Sequence, residues 1–386
     1  MRRASIVTGG RRLCIALGVA TLTACSSLPL PSFLSSSEKP KPAELTPNPA
    51  TLGMRSAWTA RIGAVDMPLT VNANGSSFVV AGSDGSVAAF DAASGRELWR
   101  ASAGGPIAAG VGSDGKVSAV VTRANDLVAF EEGKEIWRQR LAAGAYTAPF
   151  VAGARVFVLT ADRAVSAFDG KTGRKLWSQS RPGEPLVLRQ PGVMLAVGDT
   201  LVVGLSGRLA GLNPQNGLGR WEAPIATPRG INDVERLVDL VGRVSRTGDV
   251  VCARAFQTSV GCVDTRRGAV VWSKQANGAE GVDGDGTLLF GSEADGKVVA
   301  WKRDSGERAW TSEMLLHRGL TAPLSLGRSV VVGDSFGYVH ILSREDGKLL
   351  NRVATDSSAV AAAPVLAGNT LVVVTRSGGV YGFVPQ

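Results

Sequence analysis

One signature recurs along this chain and leaves few folds open to it. Two or three small or apolar residues are often followed by Asp; a Gly comes next, and a Trp stands four residues after the Gly. It reads Ala89-Phe90-Asp91, Gly95, Trp99 in its first full copy and returns as Ala129-Phe130, Gly133, Trp137 and as Ala167-Phe168-Asp169, Gly173, Trp177. Further copies end at Trp221, Trp272 and Trp310 after Gly217, Gly268 and Gly306. In the last copy Gly347 is followed by Asn351, and an orphan Trp58 near the start has only the downstream context. The eight marks lie about 42 residues apart on average, the spacing of a β-propeller blade.

Within each period the runs are strand-like, such as Phe78-Val79-Val80-Ala81, Val156-Phe157-Val158-Leu159 and Leu371-Val372-Val373-Val374. Ser83-Asp84-Gly85, Asp114-Gly115 and Ser377-Gly378-Gly379 punctuate them as hairpin turns. No amphipathic helical pattern of three turns interrupts the series. A tryptophan-rich sandwich or a helical solenoid would not hold a Gly-x-x-x-Trp register over seven turns. The pattern predicts an all-β, eight-bladed propeller of four-stranded blades over residues 56–386, with seven blades as the alternative count. Its last run, Val380-Tyr381-Gly382-Phe383, lacks the turn and Trp that follow elsewhere, and Trp58-Thr59-Ala60-Arg61 supplies the missing piece. The N-terminal strand is therefore expected to complete the last blade and remove two free edges.

The start of the chain reads as an export signal. Arg2, Arg3, Arg11 and Arg12 precede an apolar run of ten, residues 13–22, too short for a permanent membrane span. Leu22-Thr23-Ala24-Cys25 resembles the bacterial lipobox, so residues 1–24 are expected to be cleaved and Cys25 lipidated. Ser26 rather than Asp follows the cysteine, which by the usual lipoprotein rule implies the outer membrane, periplasmic face, with the lipid as the only membrane contact. Residues 25–55 carry six prolines among serines and are expected to form a tether reaching at most roughly 90 Å.

Removing the four leader arginines leaves 38 basic against 33 acidic residues, a net +5 without a basic cluster, which argues against nucleic-acid binding. His317 and His340 are the only histidines and lack companions at metal-ligand spacing. Asp283-Gly284-Asp285-Gly286 lacks the full calcium ligand set and reads as a hairpin turn. No nucleophile elbow or carboxylate pair stands out, so no catalytic residue, metal or cofactor is expected. Cys14 leaves with the leader. Cys252 and Cys262 flank the turn around Gln257, and a disulfide between them depends on register: a two-residue turn puts them on opposite faces, a one-residue bulge aligns them.

The unit Ala-x-Asp-x-x-Thr-Gly-x-x-x-Trp resembles the tryptophan-docking repeat of quinoprotein dehydrogenases, which implies the fold and leaves function open. A periplasmic dehydrogenase dependent on pyrroloquinoline quinone is therefore the alternative function. Those enzymes are longer and often carry adjacent cysteines, which this chain lacks. Lipobox, proline-rich tether and eight repeats together resemble the BamB family, lipoproteins of the outer-membrane β-barrel assembly (BAM) complex. The most specific stretches are Leu315-Leu316-His317-Arg318, Leu320-Thr321-Ala322-Pro323, the run from Val331 through Asp334 and Phe336 to His340, Asp356-Ser357-Ser358, and the segment from Val234 to Asp239.

That resemblance implies a non-catalytic scaffold that binds the periplasmic domains of BamA and other BAM subunits, with unfolded outer-membrane proteins as further candidate partners. In the family a Leu-x-Leu-Arg segment and an Asp-x-Asp pair make the BamA contact. Leu186, Leu188 and Arg189 match the first; Asp239 matches the first carboxylate of the second, while Val241 stands where the other would be. The interval from Trp221 to Trp272 is about ten residues longer than the mean and holds Arg229 to Arg236, an insertion expected to protrude on a binding face.

Overall fold

A computed structural model describes residues 40–181, 186–228, 231–233 and 236–386. The leader, Cys25, Pro185 and part of the 229–236 insertion lie outside the described residues. Within residues 41–386, one compact unit, the regular elements are 32 strands in eight four-stranded antiparallel sheets. Blades 1 to 7 are consecutive meanders beginning at Asn72, Gly112, Phe150, Met194, Leu240, Val282 and Leu324. Blade 8 joins Val365–Ala367, Thr370–Val374 and Gly379–Pro385 to the N-terminal strand Met54–Arg61. The ring closes through the N-terminal strand, as the interrupted last repeat predicts.

The first strands of neighbouring blades pack side by side around much of the axis. Second and third strands are the core: Ser77–Ala81 and Ser86–Asp91 are buried along nearly their whole length, whereas the outer strand Glu97–Ser102 alternates toward solvent. Hairpins between strands 1 and 2, and 3 and 4, lie on one face, here the turn face. Hairpins between strands 2 and 3 share the other, the loop face, with the connections between blades.

The repeat signature is the inter-blade joint. Each outer-strand Trp faces a small residue on its own third strand, Ala89 opposite Trp99, Ala167 opposite Trp177 and Gly382 opposite Trp58, with the register shifting beside it. The indole then lies over the turn glycine of the next blade. A Cβ on Gly95, at φ +69°, would stand 2.4 Å from the Trp58 ring, so only glycine fits there. At five of the seven joints the indole N–H donates to a carbonyl of that turn, as in Trp58 to Ala92 at 2.9 Å and Trp137 to Gly170 at 2.9 Å. Each joint thus packs a large flat side chain against the next blade, and at these five its one polar group is satisfied as well.

Blade 8 has no such turn, because its third and fourth strands come from opposite ends of the chain. This explains Asn351. Its amide donates to Leu52 O in the segment entering blade 8, where elsewhere an indole would donate. Ile341 faces Asn351 where other blades carry Ala, Gly or Cys, so the larger residue has moved to the third strand.

One boundary differs from expectation. Residues 41–53, read from their prolines as tether, lie against blade 7: Ala43 N–H donates to Leu316 O at 2.8 Å and Thr51 N–H to Leu350 O at 2.9 Å, with Leu45 packed on the core between blades 6 and 7. Proline content reports the lack of a repeating pattern and says nothing about backbone groups finding partners on a neighbouring surface.

Cys252 and Cys262 pair directly across their hairpin, with Ala255 opposite Ser259. The three-residue connection between those two gives the aligned register, and the cysteines are joined by a disulfide.

Candidate partner-docking site

Leu186, Leu188 and Arg189 lie on the loop face, in the connection from blade 3 to blade 4. This segment has no ladder partner, so its backbone groups must be satisfied otherwise. Two residues from neighbouring blades do so. Arg163, in the loop-face hairpin of blade 3, donates from Nη2 to Leu186 O at 2.8 Å and from Nη1 to Asp239 Oδ1 at 3.0 Å. Asp239, just before the first strand of blade 5, accepts the Leu188 N–H at 2.9 Å on its other oxygen. Blades 3 and 5 thereby grip the connection between them.

The Arg163 side chain is 8 % exposed and that of Asp239 16 %, so this ion pair is sheltered and held by further hydrogen bonds, the condition in which such pairs hold geometry well. Leu186 is 41 % exposed, an apolar side chain turned outward by a fixed backbone. Arg189 is exposed and stacks over Tyr146 at 5.9 Å, which orients its guanidinium. On the next connection of the same face Ile231 is 98 % exposed.

Three of the four expected contact residues thus share one segment, and Asp239 has a different place. Its carboxylate is engaged inward, holding the segment rather than facing a partner. Val241, two residues on, is buried opposite Arg254 in the blade 5 ladder.

Arg163 and Tyr146 were missed, although Arg163 left a signal. It occupies a left-handed position, φ +62°, where blades 1, 6, 7 and 8 carry Gly85, Gly296, Gly337 and Gly378. A bulky residue there costs roughly 1–2 kcal/mol and persists when contacts over-determine it.

The axis holds a cavity of about 260 Å³, lined by Leu69, Val71, Val193, Met194, Val365 and other mostly apolar residues. Arg243 spans it, bonded to Asp283 at 3.0 Å and to Pro364 O at 3.1 Å. Burial pushes the Glu280 carboxyl at its wall up to about 7, with Arg254 and Arg376 pulling weakly the other way. Among the described residues no three His, Cys, Asp or Glu side chains converge as metal ligands.

Residues 83–312 match the family described as outer membrane protein assembly factor BamB. The BamB of Burkholderia pseudomallei is 37 % identical over 96 % of this chain and 97 % of its own length. The crystal structure of BamB from Moraxella catarrhalis superposes with a TM-score of 0.78 at 24 % identity, covering 86 % of this chain and 99 % of that one. Quinohemoprotein alcohol dehydrogenase from Comamonas testosteroni gives 0.67 at 15 % identity over 89 % of this chain and 78 % of its own, a likeness of fold alone. The full-length identity, the docked tryptophans and the closure of the ring agree: the chain belongs to the BamB family of outer membrane protein assembly factors.

Proposed function

We propose that this protein is a non-catalytic scaffold of the outer-membrane protein assembly machinery, held at the periplasmic face of the outer membrane by a lipid on Cys25. In this reading residues 1–24 are removed, a proline-rich tether follows, and the propeller presents its loop face to the periplasmic domains of BamA. The observation that carries it is the gripped segment at 186–189. An exposed leucine and an oriented guanidinium are held by blades 3 and 5, so little ordering remains to be done on binding. An apolar anchor beside an Arg suits a partner surface with a hydrophobic pocket next to a carboxylate. The names borne by the relatives, assembly factors of the outer membrane, support the same reading.

A photo-crosslinking amino acid at Leu186 in the full-length protein tests it directly. Irradiated membranes should yield one dominant adduct with BamA, and the same probe at Asn74 on the turn face should not. Equal adducts from both positions, or none from Leu186, would count against the loop face as the docking surface.

A further inference from the structure

Two of the most distinctive sequence stretches, 315–318 and 331–340, take no part in the site at 186–189; the first lies in the connection from blade 6 to blade 7 and the second in blade 7 itself. Together they build a buried charged cluster. Asp334 is fully buried and accepts from Arg318 Nε at 2.7 Å, from His340 Nε2 at 3.0 Å, and from the backbone N–H groups of Phe336 and Tyr338 at 2.9 Å each. The Arg318 guanidinium lies 4.6 Å from the Phe336 ring and 5.9 Å from that of Tyr338. Arg352 covers Tyr338 from outside at 5.6 Å. The cluster thus fixes Arg318 in place and direction.

The fixed group faces the chain's own N-terminal segment. Arg318 Nη1 donates to Ala43 O at 3.0 Å, while Ala43 N–H donates to Leu316 O. From there the chain descends antiparallel to the outer strand of blade 7, Leu349–Ala354. Both terminal nitrogens of Arg352 donate to Thr46 O at 3.1 Å, and Asn48 donates to Asn351 Oδ1 and Arg352 O. Thr51 and Leu52 then bond Leu350 and Asn351, and Gly53 reaches Gln386 before blade 8 begins. Residues 43–52 cover what would be an open edge.

We propose that Arg318, oriented by Asp334 and His340 and flanked by Phe336, Tyr338 and Arg352, is a receptor for the protein's own residues 43–52. Seated there, the segment acts as a clasp at the joint between blades 7 and 8 and sets where the tether leaves. Ala43 meets the propeller beside the connection from blade 6 to blade 7, on the loop face. The tether of the proposed function, on which this part rests, therefore departs from the face that carries Leu186 and Arg189, across the ring from them. Only residues before about 41 remain to span the distance to the membrane, roughly half the reach that the composition of residues 25–55 suggests.

Hydrogen exchange on the full-length protein tests the clasp without reference to any partner. The amides of Ala43 and Thr51 should be protected, and Arg318→Lys should lower protection at both about tenfold or more, since a point charge cannot hold two directed bonds at once. Ala43→Pro removes a strap donor without touching the blade and should likewise release Thr51. Unprotected amides in the wild-type protein, or protection unchanged in both variants, would overturn the clasp. Spin labels on Lys41→Cys should lie nearer to one at Ser335 than to one at Arg328; the reverse order would overturn the loop-face exit alone. Either result leaves the docking of BamA at residues 186–189 to be judged separately by crosslinking.

Discussion

Arg163 and Asp239 stand 76 positions apart and meet at 3.0 Å, and between them they hold the backbone of Leu186 and Leu188. The exposed segment owes its shape to this pair. Asp239→Ala leaves Arg163 without its carboxylate and Leu188 N–H without its acceptor, and should cost about 1–3 kcal/mol of stability. Partner affinity should fall with it, because the segment loses its fixed geometry. The double variant Arg163→Ala/Asp239→Ala should cost clearly less than the sum of the single ones. Chemical denaturation of all four proteins measures this, and strict additivity would contradict the clamp.

Asn351 and Ile341 exchange the sizes found at the other joints. Restoring the repeat with Asn351→Trp should therefore destabilise the protein, by about 1–3 kcal/mol, because the indole would meet Ile341 and find no turn glycine in blade 8. Adding Ile341→Ala should recover part of the loss. A melting temperature raised by Asn351→Trp alone would contradict this account of the closure.

How much was legible follows from the same joints. A tryptophan facing Ala, Gly or Cys and covering a glycine is a local pattern, repeated, so blade number and ring closure could be read from the chain. The segment at 186–189 was legible by resemblance. Its support was not, because Arg163 and Asp239 meet through the curvature of the ring rather than through sequence spacing. Residues 43–52 were illegible for another reason. They are held by backbone bonds to Arg318, Leu350, Asn351 and Arg352, and hydrophobic periodicity does not record such bonds. The cysteine pair was legible to within one residue of register, the length of a connection that only the structure shows.

Glu280 makes stability depend on pH. Its carboxyl is raised from the ordinary 4.5 to about 7 by burial, so the folded protein binds a proton there that the unfolded chain has released. This contribution is undiminished below about pH 4.5 and is lost as pH rises through about 7. Glu280→Gln should raise the melting temperature at pH 8 and change it little at pH 5. An equal effect at both values would show that the group does not titrate in this range.

The disulfide closes a short hairpin in blade 5, between cysteines ten positions apart. Replacing both by Ala should cost about 2–3 kcal/mol, measurable as a lower urea midpoint. Alkylation of the denatured, unreduced protein should leave Cys252 and Cys262 unlabelled. Labelling of both would mean that the bond is absent in the exported protein.

The central claim is that a guanidinium at position 189, fixed on the loop face, is read by BamA. Co-purification of BamA with the full-length wild-type protein and with Arg189→Glu tests it most directly, with melting temperatures alongside. Arg189 is exposed, so the variant should melt within a degree or two of wild type. Reversing the charge of a contact buried on binding typically costs about 2–5 kcal/mol, so BamA recovery should drop at least tenfold. A well-folded Arg189→Glu protein that recovers BamA undiminished would contradict the assignment of this face.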